Sequence, residues 1–550
     1  SRAITLGAVL VVAAVAAGAY LTVRSRARAE QATHAAEAAR AGLARDTKAS
    51  LARAAEVLAA AREALPHDPE VLSLSAQVAA RLAVDHGDEQ ARALARELAD
   101  DPQAGEGALA ARYLLAEPGA RAAAEEPILA LPPGAAPLLQ QLAGEILLGR
   151  GQVESARGRL DIAAHATPPL LGALADLGDS HLAAGEPERA LPFYEAAIAA
   201  HPTHPRSVIG AAEARLALER PLDGSTKELK AVEDDAGSAP PLAARLRFEL
   251  ASARVQTATG DAAGADRRLV LAAGALGDSA GLEAARADLL SDARLFEPAE
   301  EAAAKALRLE PKAVEHRVRL ARARAGLHRY APALEALEGA DGRSVWLWRG
   351  VALHGLAQED KARAALERTV RDGRMTSEAA VWYALADLSL GHADRATALL
   401  EKLAAARGAS AQAHAALGRA LLAAHRPADA EKACRRAVEK DARAPEGYRC
   451  QGQLLLAQGK PEEAVAPLEQ AQSLDRHDPE IEKLLAAAKA PPKAAPAPKP
   501  TPKPVAKPAP AVSKVAPKPA AKAAPAPAKT AAPAPKPAAA QPATPRNSKW

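Results

Sequence analysis

The chain has 550 residues, 49% of them hydrophobic but only 2% aromatic, so alanine supplies most of the apolar surface and one wide conventional core is excluded. Residues 491–550 hold 18 of the 43 prolines and 11 of the 71 Lys/Arg with no Asp or Glu, so the net charge of +4 conceals a body of 490 residues at −7. Two cysteines exclude a disulfide framework and a four-cysteine zinc ribbon.

Residues 1–3 form a short flank. Ile4 to Val23 is a 20-residue stretch without a charge, which at 1.5 Å per residue just spans a bilayer core of roughly 30 Å. It predicts a transmembrane helix, with a secretory signal cleaved near Ala17-Gly18-Ala19 as the competing reading. In the basic juxtamembrane stretch 24–34, Arg24, Arg26 and Arg28 outnumber Arg2. By the positive-inside rule this favours the cytoplasmic side of a bacterial inner membrane, without deciding the side of the array.

From residue 35 onward a period of 34 organises the chain. GEILLGRGQVESARGRLDIAAHATP aligns with GDSHLAAGEPERALPFYEAAIAAHP, placing Gly144 on Gly178, Gly151 on Gly185, Ala156 on Ala190 and Pro168 on Pro202. Continued in both directions, the anchor falls on alanine at eleven of thirteen positions, from Ala54 to Ala464, the exceptions being Asp88 and Gly224. Because alanine is so common here, the rarer glycine tests the phase. Twelve residues before the anchor stand Gly42, Gly144, Gly178, Gly350, Gly418 and Gly452, where two helix backbones must come close. Leucine recurs four residues after the anchor, as at Leu58, Leu160, Leu366 and Leu468.

This pattern resembles the tetratricopeptide repeat, a helix-turn-helix unit with small residues where its helices cross. The resemblance implies an all-α helical solenoid, here following the N-terminal transmembrane helix and ending in a disordered Pro/Ala/Lys-rich tail. It also implies protein partners held in a concave groove lined by the first helices. Sub-array 1 covers residues 35–218 and sub-array 2 residues 242–490. Between them Pro221, Gly224 and Pro240-Pro241, with a seven-residue insertion, predict an irregular bend over 219–241.

No phosphate loop, H-E-x-x-H metal motif or nucleophile constellation occurs, so the sequence points to no catalytic activity and no cofactor. His201-Pro-Thr-His204 reads as a polar loop between repeats, and Cys434 and Cys450 as buried small side chains rather than a bridge.

Candidate partner-binding residues come from the inner face. Position nine of each repeat carries Glu145, Asp179 and Glu213 in succession, then Arg254, Asp288, Arg322 and, further on, Arg419, so the groove is expected to run from acidic to basic. Trp346 falls at the core aromatic position. Trp348 and Trp382 sit 34 apart on the other side of adjacent first helices, near Arg319 and Arg322, and are expected to form an aromatic step for a partner peptide. The resemblance also excludes the carboxylate clamp of co-chaperone repeats, since its asparagine is missing from residues 1–546.

The tail is expected to be extended and disordered, serving as a spacer or contacting an anionic surface. Nucleic acid is not an expected partner, because arginine clusters with interleaved aromatics are lacking. Together these features predict a membrane-tethered scaffold in a bacterial multi-protein assembly of envelope, secretion or motility type. The alternative is the C-terminal repeat region of a larger membrane-anchored signalling enzyme, such as a Ser/Thr kinase, with its catalytic domain upstream of Ser1.

Overall fold

A computed structural model describes residues 2–370, 375–406 and 408–490, with side chains from residue 19 onward. Residues 1–490 form one unit and residues 491–550 a second, and the tail lies outside the described residues. Among the described residues there is no strand: thirteen successive helix pairs run from Arg2–Arg45 with Lys48–Ala64 to Pro445–Ala457 with Pro461–Leu474, and a single helix, Pro479–Lys489, packs on the last pair.

Small side chains at the anchors decide the packing. Ala156, Ala190, Ala265, Ala299, Ala333, Ala362, Ala396, Ala430 and Ala464 are all fully buried. At Gly144, Gly178, Gly350, Gly418 and Gly452 the glycine twelve residues earlier faces the residue four after the anchor, whereas Gly42 meets the anchor Ala54 itself. A Cβ on Gly144 would lie 2.6 Å from Leu160 Cδ2, and one on Gly452 2.5 Å from Leu468 Cδ2. One helix of each pair must therefore be bare at that point for the other to bury a leucine, and this coupling explains why the two periodicities share one phase.

In the fifth pair the leucine is replaced by Tyr194, which lies between Gly178 and Gly210. A Cβ on either glycine would collide with the ring. The ring is completely buried, and its hydroxyl donates to Asp179 Oδ1 at 2.7 Å. Burial beside the Asp179 carboxylate raises the phenol far above its ordinary value.

Three sequence expectations are corrected here. The irregular bend over 219–241 contains a regular helix, Asp223–Asp234, whose Leu229 and Val232, three apart, give it a buried stripe. Its irregularity is confined to short flanks, the second of which includes the turn Ala236–Ser238. Cys434 and Cys450 are buried as expected but are joined in a disulfide. Gly418 leaves the space for it, since a Cβ there would lie 2.7 Å from Cys434 Sγ and closer still to Cys450 Sγ.

The single-pass inner-membrane placement is also overturned: among the described residues no helix is long and apolar enough to cross a membrane. The helix over the expected span runs unbroken from Arg2 to Arg45 and carries Arg24, Arg26, Arg28 and Glu30 in its middle. The side chains of residues 4–18, where most of that span falls, lie outside the described residues.

Candidate functional site: the inner face of the repeats

The first helices bring charged residues together on the inner face, with opposite outcomes in the two halves of the array. In the N-terminal half the charges satisfy one another. Arg81 pairs with Asp46 at 2.9 Å and with Asp85 at 3.2 Å. Arg206 pairs with Asp176, which also accepts from Gln141 Nε2 at 2.8 Å. Arg247 reaches across two repeats to bind Asp179 at 2.8 Å and Glu213 at 2.6 Å. The side chains of Arg81, Asp46 and Asp176 are only 6–7% exposed. The acidic run Glu145, Asp179 and Glu213 is thus built into an internal network. Burial alone would raise Asp179, but the Arg247 and Tyr194 hydrogen bonds outweigh it and hold the carboxyl below its usual range.

Glu145 is the exception in that network. It accepts one hydrogen bond, from Gln141 Nε2 at 3.1 Å, and desolvation together with the neighbouring Asp176 pushes its carboxyl up to about 7. The folded chain therefore retains this proton through a range in which an unfolded glutamate, at an ordinary value of 4.5, has released it. Stability falls as pH rises through that interval, by up to about 1.4 kcal/mol per unit. Glu145→Gln is expected to raise the melting temperature of the N-terminal repeats by a few degrees at pH 8. At pH 4, where both states hold the proton, the gain should vanish; thermal melts at the two pH values check it.

The C-terminal half keeps open space on its inner face. A cavity of about 250 Å³ is lined by His354, Trp382, Gln412, Arg419 and Arg449. A neighbouring cavity of about 300 Å³ is lined by Trp348, Trp382, Arg322 and Glu378. His328, Tyr330, Glu446 and Asp475 border both. A third, near Arg254 and Arg319, measures about 610 Å³.

Trp348 and Trp382 are both half-buried and share the second cavity. Trp348 rests on the apolar cluster around Val351 and Leu366, and Trp382 bridges that cluster and the next, around Leu385 and Leu400. The Arg322 guanidinium stands 5.9 Å from the centre of the Trp348 ring, and His354 meets Trp382 edge-on at 5.8 Å. Trp346, expected in the core, is half-buried instead: it lies between Arg349 at 4.4 Å and Arg368 at 3.5 Å, and its indole N–H donates to Asp341.

The arginines of the expected basic sector have partners one repeat back. Arg319 binds Asp288 at 2.9 Å and Arg322 binds Asp292 at 2.6 Å. Arg254 is exposed and without an ion-pair partner among the described residues. Arg419 reaches Glu480 only at 3.5 Å. Desolvation and the adjacent Arg449 lower its pKa. The charge runs in sequence from acidic to basic, but pairing between repeats largely cancels that trend.

One arginine ion pair and two histidine–carboxylate contacts cross this inner face between distant repeats. Arg294 binds Glu446 through both carboxylate oxygens, at 2.9 and 3.1 Å. His328 meets Asp475 at 2.9 Å, and His477 meets Glu297 at 2.9 Å. His328 has positive φ, at the turn position where Gly151, Gly185 and Gly459 stand in other repeats. Its Nε2, Asp475 and Asp478 come within 4.8 Å of one another, the spacing of a metal-ligand set. Those donors already serve the fold: Asp478 Oδ1 caps Pro479–Lys489 through the Glu480 N–H, and its Oδ2 accepts from Arg449 at 2.6 Å. His201 and His204 form no such set; His204 is fully buried at the start of Pro205–Ala217, and its burial lowers its pKa to about 4.

Sequence reasoning missed Glu378, Glu446 and Asp475. Glu378 was open to detection, standing four residues before Trp382 and hence on the same helical face. The other two reach the site from repeats more than 90 residues away from Trp348, and no local periodicity signals that.

A family model described as tetratricopeptide repeat matches residues 142–205, 175–239, 384–445 and 415–480. No curated protein matches the chain. Among solved structures it is similar to the APC/C hetero-tetramer Cut9-Hcn1, at 13% identity and a TM-score of 0.37, over 80% of this chain and 93% of that one. It is also similar to yeast Tom70, at 14% identity and a TM-score of 0.30, over 64% and 94% of the respective chains. For TTC0263, a thermophilic TPR protein in Thermus thermophilus, the identity is 24% and the TM-score 0.28, over 34% and 98%.

Proposed function

We propose that this array of tetratricopeptide repeats is a non-catalytic scaffold that holds a protein partner of a multi-protein assembly on the inner face of its C-terminal repeats. The observation that carries this is the contrast between the halves. The N-terminal inner face is filled by its own ion-pair network around Arg81, Arg206 and Arg247, whereas the C-terminal one keeps contiguous cavities with two half-buried indoles in their wall. Tryptophan and arginine in a recess are the usual anchors of a binding surface, tryptophan because it supplies large contact area at low entropy cost and arginine because its planar fork pairs with several acceptors.

Capture of partners from lysate by the full chain, compared with a Trp348→Ala/Trp382→Ala variant, tests this reading. The variant is expected to lose the partner at least tenfold, an amount typical of a single interface anchor. Unchanged capture by a variant that still melts cooperatively would refute it.

A further inference from the structure

We infer that the recess between Trp348 and Trp382 receives the ammonium group of a lysine from an extended segment of the partner protein, with Glu378 as its counter-charge. The inference rests on the groove reading above and adds the chemistry of the occupant.

Glu378 and Trp382 lie four apart on the helix Ser377–Ser389, and both line the cavity that Trp348 walls from the preceding repeat. Four carboxylates border this cavity, and three are already matched: Asp292 by Arg322, Glu446 by Arg294, and Asp475 by His328. Glu378 has no ion pair or hydrogen bond among the described residues. Among the described residues the cation that acts on it is Arg322, which is engaged with Asp292. Among the described residues the cavity therefore carries a surplus of negative charge beside two indoles.

Glu378 is exposed on the open side of the cavity, and the partial desolvation by the protein around it raises its pKa despite Arg322. An arriving cation would relieve this penalty and gain the attraction of the ring quadrupoles. The structure holds an internal precedent, the Arg322 guanidinium 5.9 Å from Trp348. A compact ammonium suits the remaining space better than a second planar guanidinium, which would compete with Arg322 for the same ring and seek a bidentate partner.

The test uses the full chain and a five-residue peptide of alanine and proline with one central lysine, set against the same peptide with norleucine. Tryptophan fluorescence or calorimetry reads binding. The lysine peptide is expected to bind about tenfold more tightly than the norleucine peptide, and the difference should shrink as salt is raised. Glu378→Gln should remove most of it while lowering the melting temperature by no more than about a degree or two, the effect of losing one first-turn carboxylate.

No binding of the lysine peptide, equal binding of the two peptides, or full retention of the preference in Glu378→Gln would overturn the inference. If those results appear while Trp348→Ala/Trp382→Ala still releases the natural partner, cation recognition fails and the groove reading stands. If the double variant keeps its partner, the groove reading fails and this inference with it.

Discussion

Tyr194→Ala is expected to cost the N-terminal repeats about 3–5 kcal/mol, the range for removing a fully buried aromatic side chain. Two effects combine. The ring fills the space that Gly178 and Gly210 leave bare, so its loss opens a cavity between three helices that cannot collapse without moving their backbones. Its hydroxyl also donates to Asp179, a carboxylate in the network that Arg247 ties across two repeats. Tyr194→Phe separates the two, and should cost about 1.5–3 kcal/mol, the price of one hydrogen bond to a charged group. Because repeats contact mainly their neighbours, hydrogen exchange should show the loss of protection concentrated in residues 171–217. A uniform loss over the whole array would contradict the argument.

Cleavage of Cys434–Cys450 is the second large effect. The bridge joins the second helix of one pair, Pro427–Lys440, to the first helix of the next, Pro445–Ala457. It closes a loop of 16 residues. In the chain-entropy description a loop of this size is worth about 3 kcal/mol. Cys434→Ala/Cys450→Ala is expected to lower the melting temperature of the C-terminal repeats and to abolish the effect of reductant on it. Thermal melts of both proteins with and without dithiothreitol check this. Identical wild-type melts in the two conditions, with reduction confirmed by thiol titration, would contradict it.

The repeat phase was legible in the sequence because it is a close-packing rule. Where a leucine must enter, the opposite helix must be glycine or alanine, and Gly144 with Leu160 or Gly452 with Leu468 states the requirement in two letters 16 residues apart. The pairing of Trp348 with Trp382 was legible for the same reason, since both obey the 34-residue period. What lay hidden was set by curvature. Arg294 and Glu446 are 152 residues apart, and whether they touch depends on small rotations accumulated over every intervening repeat. The fate of the position-nine charges was hidden too: a carboxylate such as Glu213 looks the same in sequence whether it faces a partner or Arg247. The span read over 4–23 is not matched by any helix among the described residues that is long and apolar enough to cross a membrane, and the helix there continues through Arg24, Arg26 and Arg28 to Arg45.

The contacts that cross the C-terminal inner face bear on the shape of its recess. Arg294–Glu446, His328–Asp475 and His477–Glu297 stand as rungs between repeats that are not neighbours in the chain. A stack held only by neighbour-to-neighbour packing would flex like a spring, whereas rungs tie distant coils together. The width of the recess bordered by His328, Glu446 and Asp475 is therefore set by side-chain contacts across it as well as by the stacking of the repeats beneath.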